Sequence, residues 1–383
     1  MDKPTVQDIF HRFYPAYLDQ YSPSPVQAKV AHNIMNCKTG AYGANVCVCE
    51  DCGFVQIHYN SCRNRCCPMC QAVPKEMWMD ARREDVLDAP YFHLVFTVPD
   101  ILNPVIYSNQ RLLYDALYYA ASSTISELTA DPKHLGAKVG YICILHTWGS
   151  EMNFHPHIHT ILLGGGLASN NQWKDNGENF FLPIRVISKM FRGKYLEELK
   201  RLWEEDKLVF HGTAEKFRNH YTFKELLDSC YGMDWIPHCK KTFNGAQTVI
   251  KYLGKYTHRI AVSNHRIVRM DDDTVTFLVK DYRNEGQWKE LTISGVEFVR
   301  RFLMHVPPRR FVRIRHYGLL CSRTKSQKLT LCRNLLGCKK YLSKLRDMEM
   351  PEILEHLYGI KVCVCKACGG HLGKPQMRMP LRC

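Results

Sequence analysis

Residues 155–166 read His155-Pro156-His157-Ile158-His159-Thr160-Ile161-Leu162-Leu163-Gly164-Gly165-Gly166. The stretch predicts a strand over His157–Leu163 that the three glycines stop. Successive strand side chains point to opposite faces, so His157 and His159 share one face while Ile158 packs into the core. Two imidazoles on one face make half of a metal site, with Nε2 the usual donor. A bare pair at this spacing is also met as ordinary core polarity.

Working outward, Tyr91–Val98 (YFHLVFTV) reads as a strand ended by Pro99. Arg111–Leu128 places Leu112, Leu113, Ala116, Leu117, Ala120, Ile125 and Leu128 at helical spacing, and Tyr141–Trp148 reads as a further strand. The order strand, helix, strand, strand predicts an α+β fold. Downstream, residues 168–243 are mixed and polar, with helices near Ser188–Glu205 and Phe223–Tyr231, and read as an insertion or lid. Ala246–Tyr256 has helical character; Ile260–Met270, Thr274–Lys280 and Glu290–Ile293 read as strands, and Gly295–His305 as a helix. Upstream lie a cysteine-rich head and a helix around Lys75–Leu87.

Lys251-Tyr252-Leu253-Gly254-Lys255-Tyr256-Thr257-His258-Arg259 forms a second constellation. On a helix Tyr252 and Tyr256 stack on one face, and Arg259 joins that stripe. Such stripes usually pack a core, yet the surrounding Lys251, Lys255, His258 and Arg259 suit a phosphate-facing surface. A tyrosine hydroxyl has a pKa near 10 and is a poor nucleophile at neutral pH. Attack on a phosphodiester therefore calls for a Lewis acid and nearby cations, which a histidine-held ion and these basic residues would supply.

The chain carries 18 cysteines without a disulfide-rich secreted pattern, and they cluster. Cys49-x-x-Cys52 and Cys67-x-x-Cys70 are two pairs 14 residues apart, expected to close around one structural zinc ion. Cys37, Cys47, Cys62 and Cys66, together with His32, offer a second site in the head, and Cys363, Cys365 and Cys368 a third in the tail, closed there by His371 or Cys383.

Composition excludes several classes. At 45% hydrophobic and 23% charged residues the chain is neither disordered nor membrane-spanning, and Met1–Phe10 lacks a secretory leader pattern. The net charge of +15 is concentrated: Phe298–Arg346 holds 14 Lys and Arg and no Asp or Glu. Such a surplus points to a polyanion, with Arg309, Arg310, Arg313 and Arg315 among the expected phosphate contacts.

At these motifs the sequence resembles the HUH (histidine–hydrophobe–histidine) endonuclease superfamily. More closely, it resembles the rolling-circle transposases of insertion sequences of the IS-ninety-one type. The resemblance rests on SCRNRCCPMCQ (Ser61–Gln71), HLVFTVP (His93–Pro99), HPHIH (His155–His159), YLGKYTHRIAVSN (Tyr252–Asn264) and RRFLMHVPP…FVRIRHYGLL (Arg300–Leu320), in the family's order. Cys66 departs from it, standing where the family commonly has histidine.

The resemblance implies an HUH-like antiparallel sheet with packed helices, preceded by a small zinc-binding domain. Residues 1–88 would form that domain, 89–310 the catalytic domain with 168–243 inserted, and 311–383 a basic C-terminal region ending in a possible second zinc motif. It implies Mg²⁺ or Mn²⁺ on His157 and His159, and Tyr252 and Tyr256 as nucleophiles; the sequence does not fix the third metal ligand, for which His155 or Gln247 is preferred. The expected activity is cleavage of single-stranded DNA at mobile-element ends through a 5′-phosphotyrosine. Transposon-end and target DNA are then the partners, and the bacterial cytoplasm at the nucleoid is the location. A plasmid replication initiator or relaxase would share this chemistry; a zinc-dependent DNA-binding regulator would share only the head.

Overall fold

The computed structural model describes residues 3–175, 182–235, 237–243, Val249, Gly254, 261–281 and 285–378. The chain opens on two capping boxes. Thr5 exchanges hydrogen bonds with Asp8 at the start of α1 (Val6–Gln20), and Ser24 with Gln27 at the start of α2 (Pro25–Met35), where Pro25 suits the first turn. The sequence reading passed over both helices, although the Thr-x-x-Asp and Ser-x-x-Gln spacings are their signature.

A short hairpin follows, β1 (Ala44–Val48) and β2 (Val55–Tyr59), then α3 (Ala72–Arg83), β3 (Tyr91–Thr97), α4 (Asn103–Ser108) and α5 (Gln110–Ala130). Next come β4 (Lys138–Trp148), β5 (Phe154–Leu167), β6 (Trp173–Asp175), α6 (Ile184–Glu204), α7 (His220–Gly232) and β7 (His238–Phe243). The remainder comprises β8 (Ile267–Met270), β9 (Thr274–Asp281), β10 (Gln287–Ser294), α8 (Gly295–Met304), β11 (Ile314–Gly318), α9 (Lys325–Leu336), α10 (Met350–Tyr358) and β12 (Gln376–Arg378). No described helix is long and apolar enough to cross a membrane.

The central sheet runs β11-β4-β5-β3-β7, with β6 on the end of β5, and its pairings are antiparallel. β5, the histidine strand, is therefore interior, with Val95 and Ile144 flanking His159, and Thr97 and His146 flanking His157. Pleating divides the side chains between two faces. Phe92, Leu94, Phe96, Cys143, Leu145, Ile158 and Leu162 turn toward α5 and α6, where Phe96 meets Phe191 at a ring separation of 4.9 Å. Each fully buried phenylalanine contributes on the order of 2–3 kcal/mol. The opposite face carries Tyr91, Ile142, Ile144, Ile161 and Leu163, in one apolar cluster with Leu87, Val249, Leu319 and Leu329. A third core joins α1 and α2 to the β10-β9-β8 sheet and α8, with Phe10 edge-on to Phe302 at 5.2 Å.

Several expectations change. The glycines do not stop β5: it continues to Leu167, and a Cβ on Gly165 would lie 2.4 Å from the Trp173 ring, so glycine admits a close contact there. Residues 168–243 are no detached lid, because α6 forms half of the helical layer on the sheet. The strand expected over Ile260–Met270 begins only at Ile267, after a 3₁₀ turn at Asn264–Arg266. Residues 311–383 are divided as well: β11 is an edge strand of the central sheet, while β12 pairs with β1 in the head.

Candidate metal centres and catalytic site

Three histidines meet on the sheet face away from α5 and α6. His157 and His159 of β5 bring their Nε2 atoms to 3.1 Å, and His146 of β4 completes a group whose ligand atoms lie within 4.8 Å of one another. Two nitrogens about 2.1 Å from a common ion and at right angles lie about 3 Å apart, so the spacing fits a shared cation. All three side chains are buried. Burial pushes His157 down to about 4, which keeps the ring neutral and its lone pair available at neutral pH. A hydrogen bond between His157 Nδ1 and the His155 carbonyl, 2.7 Å, leaves Nε2 facing the group. His159 Nδ1 is likewise engaged by His93 Nε2 at 2.9 Å, and the His146 ring stacks on Trp148 at 4.4 Å. Outer partners of this kind fix ring orientation around a metal.

The third histidine of the group is thus His146, while His155, one of the two expected third ligands, lies outside it. Strand periodicity predicts that His155 shares the face of His157, but the β4–β5 register slips between the His146/His157 and Trp148/Phe154 pairs. That bulge breaks the alternation, and His155 Nδ1 meets Asp100 Oδ1 at 3.2 Å instead. Gln247 lies outside the described residues. His146 carried a local signal, a histidine on a predicted strand, but only cross-strand pairing makes it a partner.

The cysteines form two groups of four. Cys37, Cys62, Cys67 and Cys70 gather at the base of the hairpin, with Cys70 Sγ 3.3 Å from Cys37 and 3.6 Å from Cys62. Cys49, Cys52, Cys365 and Cys368 gather at its tip. The expectation that Cys49, Cys52, Cys67 and Cys70 close one site is overturned by the five-residue strands between them, which hold the two ends about 16 Å apart. Cys66 joins neither group; it is buried in the core beside Arg313. His371, expected to close the tail site, faces Glu50 at 3.5 Å, and Cys383 lies outside the described residues.

Comparison with known proteins resolves the family. Residues 9–98 match the family described as "Transposase zinc-binding domain", and residues 140–328 the family described as "Putative transposase". "Putative transposase y4qJ" of Sinorhizobium fredii is 40% identical over 369 residues, covering 95% of this chain and 93% of that protein. "Transposase for insertion sequence element IS801" of Pseudomonas savastanoi pv. phaseolicola is 30% identical over 309 residues, 79% of this chain and 72% of that one. The chain belongs to the IS-ninety-one-type transposases. Among solved structures, "Conjugative Relaxase TrwC in complex with OriT Dna. Metal-free structure." aligns over 45% of this transposase and 68% of its own chain, at 15% identity and a TM-score of 0.23.

The basic segment of the transposase is less bare than its sequence suggests. Of its 14 cations, five have acidic partners: Arg300 and Arg301 on Glu297, Arg315 on Asp115, Lys325 on Asp85 and Arg346 on Glu84. Arg315 also lies 3.9 Å over the Tyr118 ring. Desolvation beside Cys66 pushes the pKa of the half-buried Arg313 guanidinium down, and Arg315 is half-buried at the edge strand. Arg309 and Arg310 are exposed. Lys251, Tyr252, Lys255, Tyr256 and Arg259 lie outside the described residues.

Proposed function

We propose that this transposase cleaves single-stranded DNA at the ends of its mobile element and joins the freed ends in rolling-circle transposition, acting on target DNA at the bacterial nucleoid. The convergence of His146, His157 and His159 on one buried face, in a chain of this family, carries the reading. The three imidazoles fit a divalent ion, Mn²⁺ better than Mg²⁺ because no carboxylate is among them, and when bound it supplies Lewis acidity at the scissile phosphate. Tyr252 or Tyr256 provides the nucleophile. Its Oη gives up a proton and bonds to phosphorus while the P–O3′ bond breaks, leaving a 5′-phosphotyrosine and a 3′-hydroxyl that takes up a proton. The second tyrosine serves the later cleavage or transfer, and Lys251, Lys255 and Arg259 neutralise phosphate charge. Val249, three residues before Tyr252 in the chain, is buried in the apolar cluster on the histidine face, which supports the reading. Cys37, Cys62, Cys67 and Cys70 hold a structural zinc in the head.

The test is cleavage of end-labelled single-stranded DNA from the element's termini with Mn²⁺ or Mg²⁺. A covalent adduct that survives denaturation is expected from the wild type, and none from Tyr252→Phe with Tyr256→Phe or from His157→Ala with His159→Ala. Metal-independent DNA binding with no adduct on any terminus would leave a binding regulator.

A further inference from the structure

We propose that Cys49, Cys52, Cys365 and Cys368 form a second structural zinc site, built from both ends of the chain, and that this ion is what holds the C-terminal tail on the head. The family match over residues 9–98 includes only two of these four ligands.

The two cysteine pairs adopt the same local backbone. Cys49-Glu50-Asp51-Cys52 and Cys365-Lys366-Ala367-Cys368 are each followed by a glycine at positive φ, Gly53 at 69° and Gly369 at 78°. The N–H of each glycine donates to the carbonyl of its first cysteine, at 3.1 Å and 3.0 Å. The N–H of each first cysteine donates two residues past the second, Cys49 to the Phe54 carbonyl at 2.9 Å and Cys365 to that of Gly370 at 2.8 Å. In the tail, the Ala367 and Gly370 amides point at the Cys365 and Cys368 sulfurs, both at 3.4 Å. Donors aimed at sulfur favour the thiolate, the form that binds metal.

The sulfurs are placed for one ion. Cys49 Sγ lies 3.5 Å from Cys368, Cys52 Sγ lies 3.8 Å from Cys365, and the four are within 4.8 Å of one another. A tetrahedron with Zn–S of about 2.3 Å has edges of about 3.8 Å. Four thiolates select a soft ion such as zinc and leave no open position for chemistry.

Packing gives the tail little else. Its share of the local core is Cys365 and Leu372 against Cys47 and Cys49, and β12 adds three residue pairs to β1. One buried leucine, a three-residue ladder and the hydrogen bonds from the Glu50 N–H to the His371 carbonyl, from the Gly373 N–H to the Val48 carbonyl and from the His371 N–H to Asp51 only partly offset the ordering of residues 363–378. A metal bond between residues 313 positions apart supplies the missing constraint.

The experiment measures zinc per chain by elemental analysis, in a non-chelating reductant, together with amide hydrogen exchange. Two zinc ions are expected per wild-type chain, one for each cluster of four cysteines, and one for Cys365→Ser with Cys368→Ser. The same loss should follow from Cys52→Ser, which lies at the other end of the chain. In both variants exchange at residues 44–46 and 376–378 should quicken roughly tenfold or more, whereas Cys70→Ser should leave the tail protected. Retained protection in β4 and β5, which carry none of these cysteines, certifies that a variant is folded. Should one not fold, chelator titration of the wild type replaces it, with tail exchange expected to rise as zinc is withdrawn. An unchanged zinc count in the tail variant, or a tail that stays protected without its zinc, overturns the proposal. Release of the tail by reductant alone would assign the contact to disulfides and overturn it equally.

Discussion

His159 shows how much of a site depends on a neighbour. Its Nε2 faces His157 because His93, two strands' pairing away in sequence but adjacent in the sheet, engages Nδ1 at 2.9 Å. Replacing His93 by alanine should raise the Mn²⁺ concentration for half-maximal adduct formation roughly 10–100-fold, with His93→Gln recovering part of the loss. An unchanged metal requirement would reduce His93 to packing. His146→Ala should cost adduct formation at least roughly 100-fold, whereas His155→Ala should leave it near the wild-type level. The motif His157-Ile158-His159 was legible from strand alternation alone. His146 was not, because 11 residues of sequence separate it from His157 and only the antiparallel register sets them opposite.

At the scale of the element, α3 and α8 each carry a carboxylate with several partners, Asp80 across chain segments and Glu297 within its own helix. Burial works against ionised Asp80, but hydrogen bonds from Ser343 Oγ and the Tyr341 hydroxyl, both 2.6 Å, and the Leu345 amide, 2.9 Å, outweigh it and lower its pKa. Asp80→Ala should destabilise the docking of residues 341–345 by roughly 2–3 kcal/mol, read as faster exchange there. On α8, hydrogen bonds from Arg300 and then Arg301 hold Glu297 down to about 2 against an ordinary 4.5. A folded value below the unfolded one means stability that is fully present above about pH 5 and is lost as pH falls toward 2. Urea unfolding of wild type and Glu297→Gln should therefore differ by about 1 kcal/mol near neutrality and converge as pH falls toward 2. A gap that does not move with pH would assign the difference to helix propensity. The helices and strands around the site were readable because their periodicity is local. The start of β5 was misjudged because a bulge is a property of two strands.

For the whole molecule the question is what meets the DNA and what holds the two ends together. With five of the 14 cations paired and Arg313 half-buried, exposed Arg309 and Arg310 carry more of the expected phosphate contact. Changing both to alanine should reduce the slope of log affinity against log salt by about 1.4 on single-stranded DNA, at about 0.7 per phosphate contact. An unaltered slope would remove that loop from the DNA path. Stripping zinc should lower the melting temperature and expose the head to aggregation, because Cys37 and Cys67 belong to the core shared by α1, α2 and α8. An unchanged melt after complete removal would refute the structural role of the metal.

By itself the sequence determined the chemistry on offer: paired imidazoles on a strand, tyrosines among cations, thiols in Cys-x-x-Cys pairs and a positive segment. These are local patterns, set by backbone periods of 2 and 3.6 residues. Only the tertiary structure decided the partnerships. A hairpin longer than a coordination sphere sent Cys49 and Cys67 to different clusters, sheet register joined His146 to His157, and acids just past α3 and on α5 met cations far along the chain. Distance in space, which contact requires, is set by how strands pair and helices pack, and no spacing along the chain encodes it.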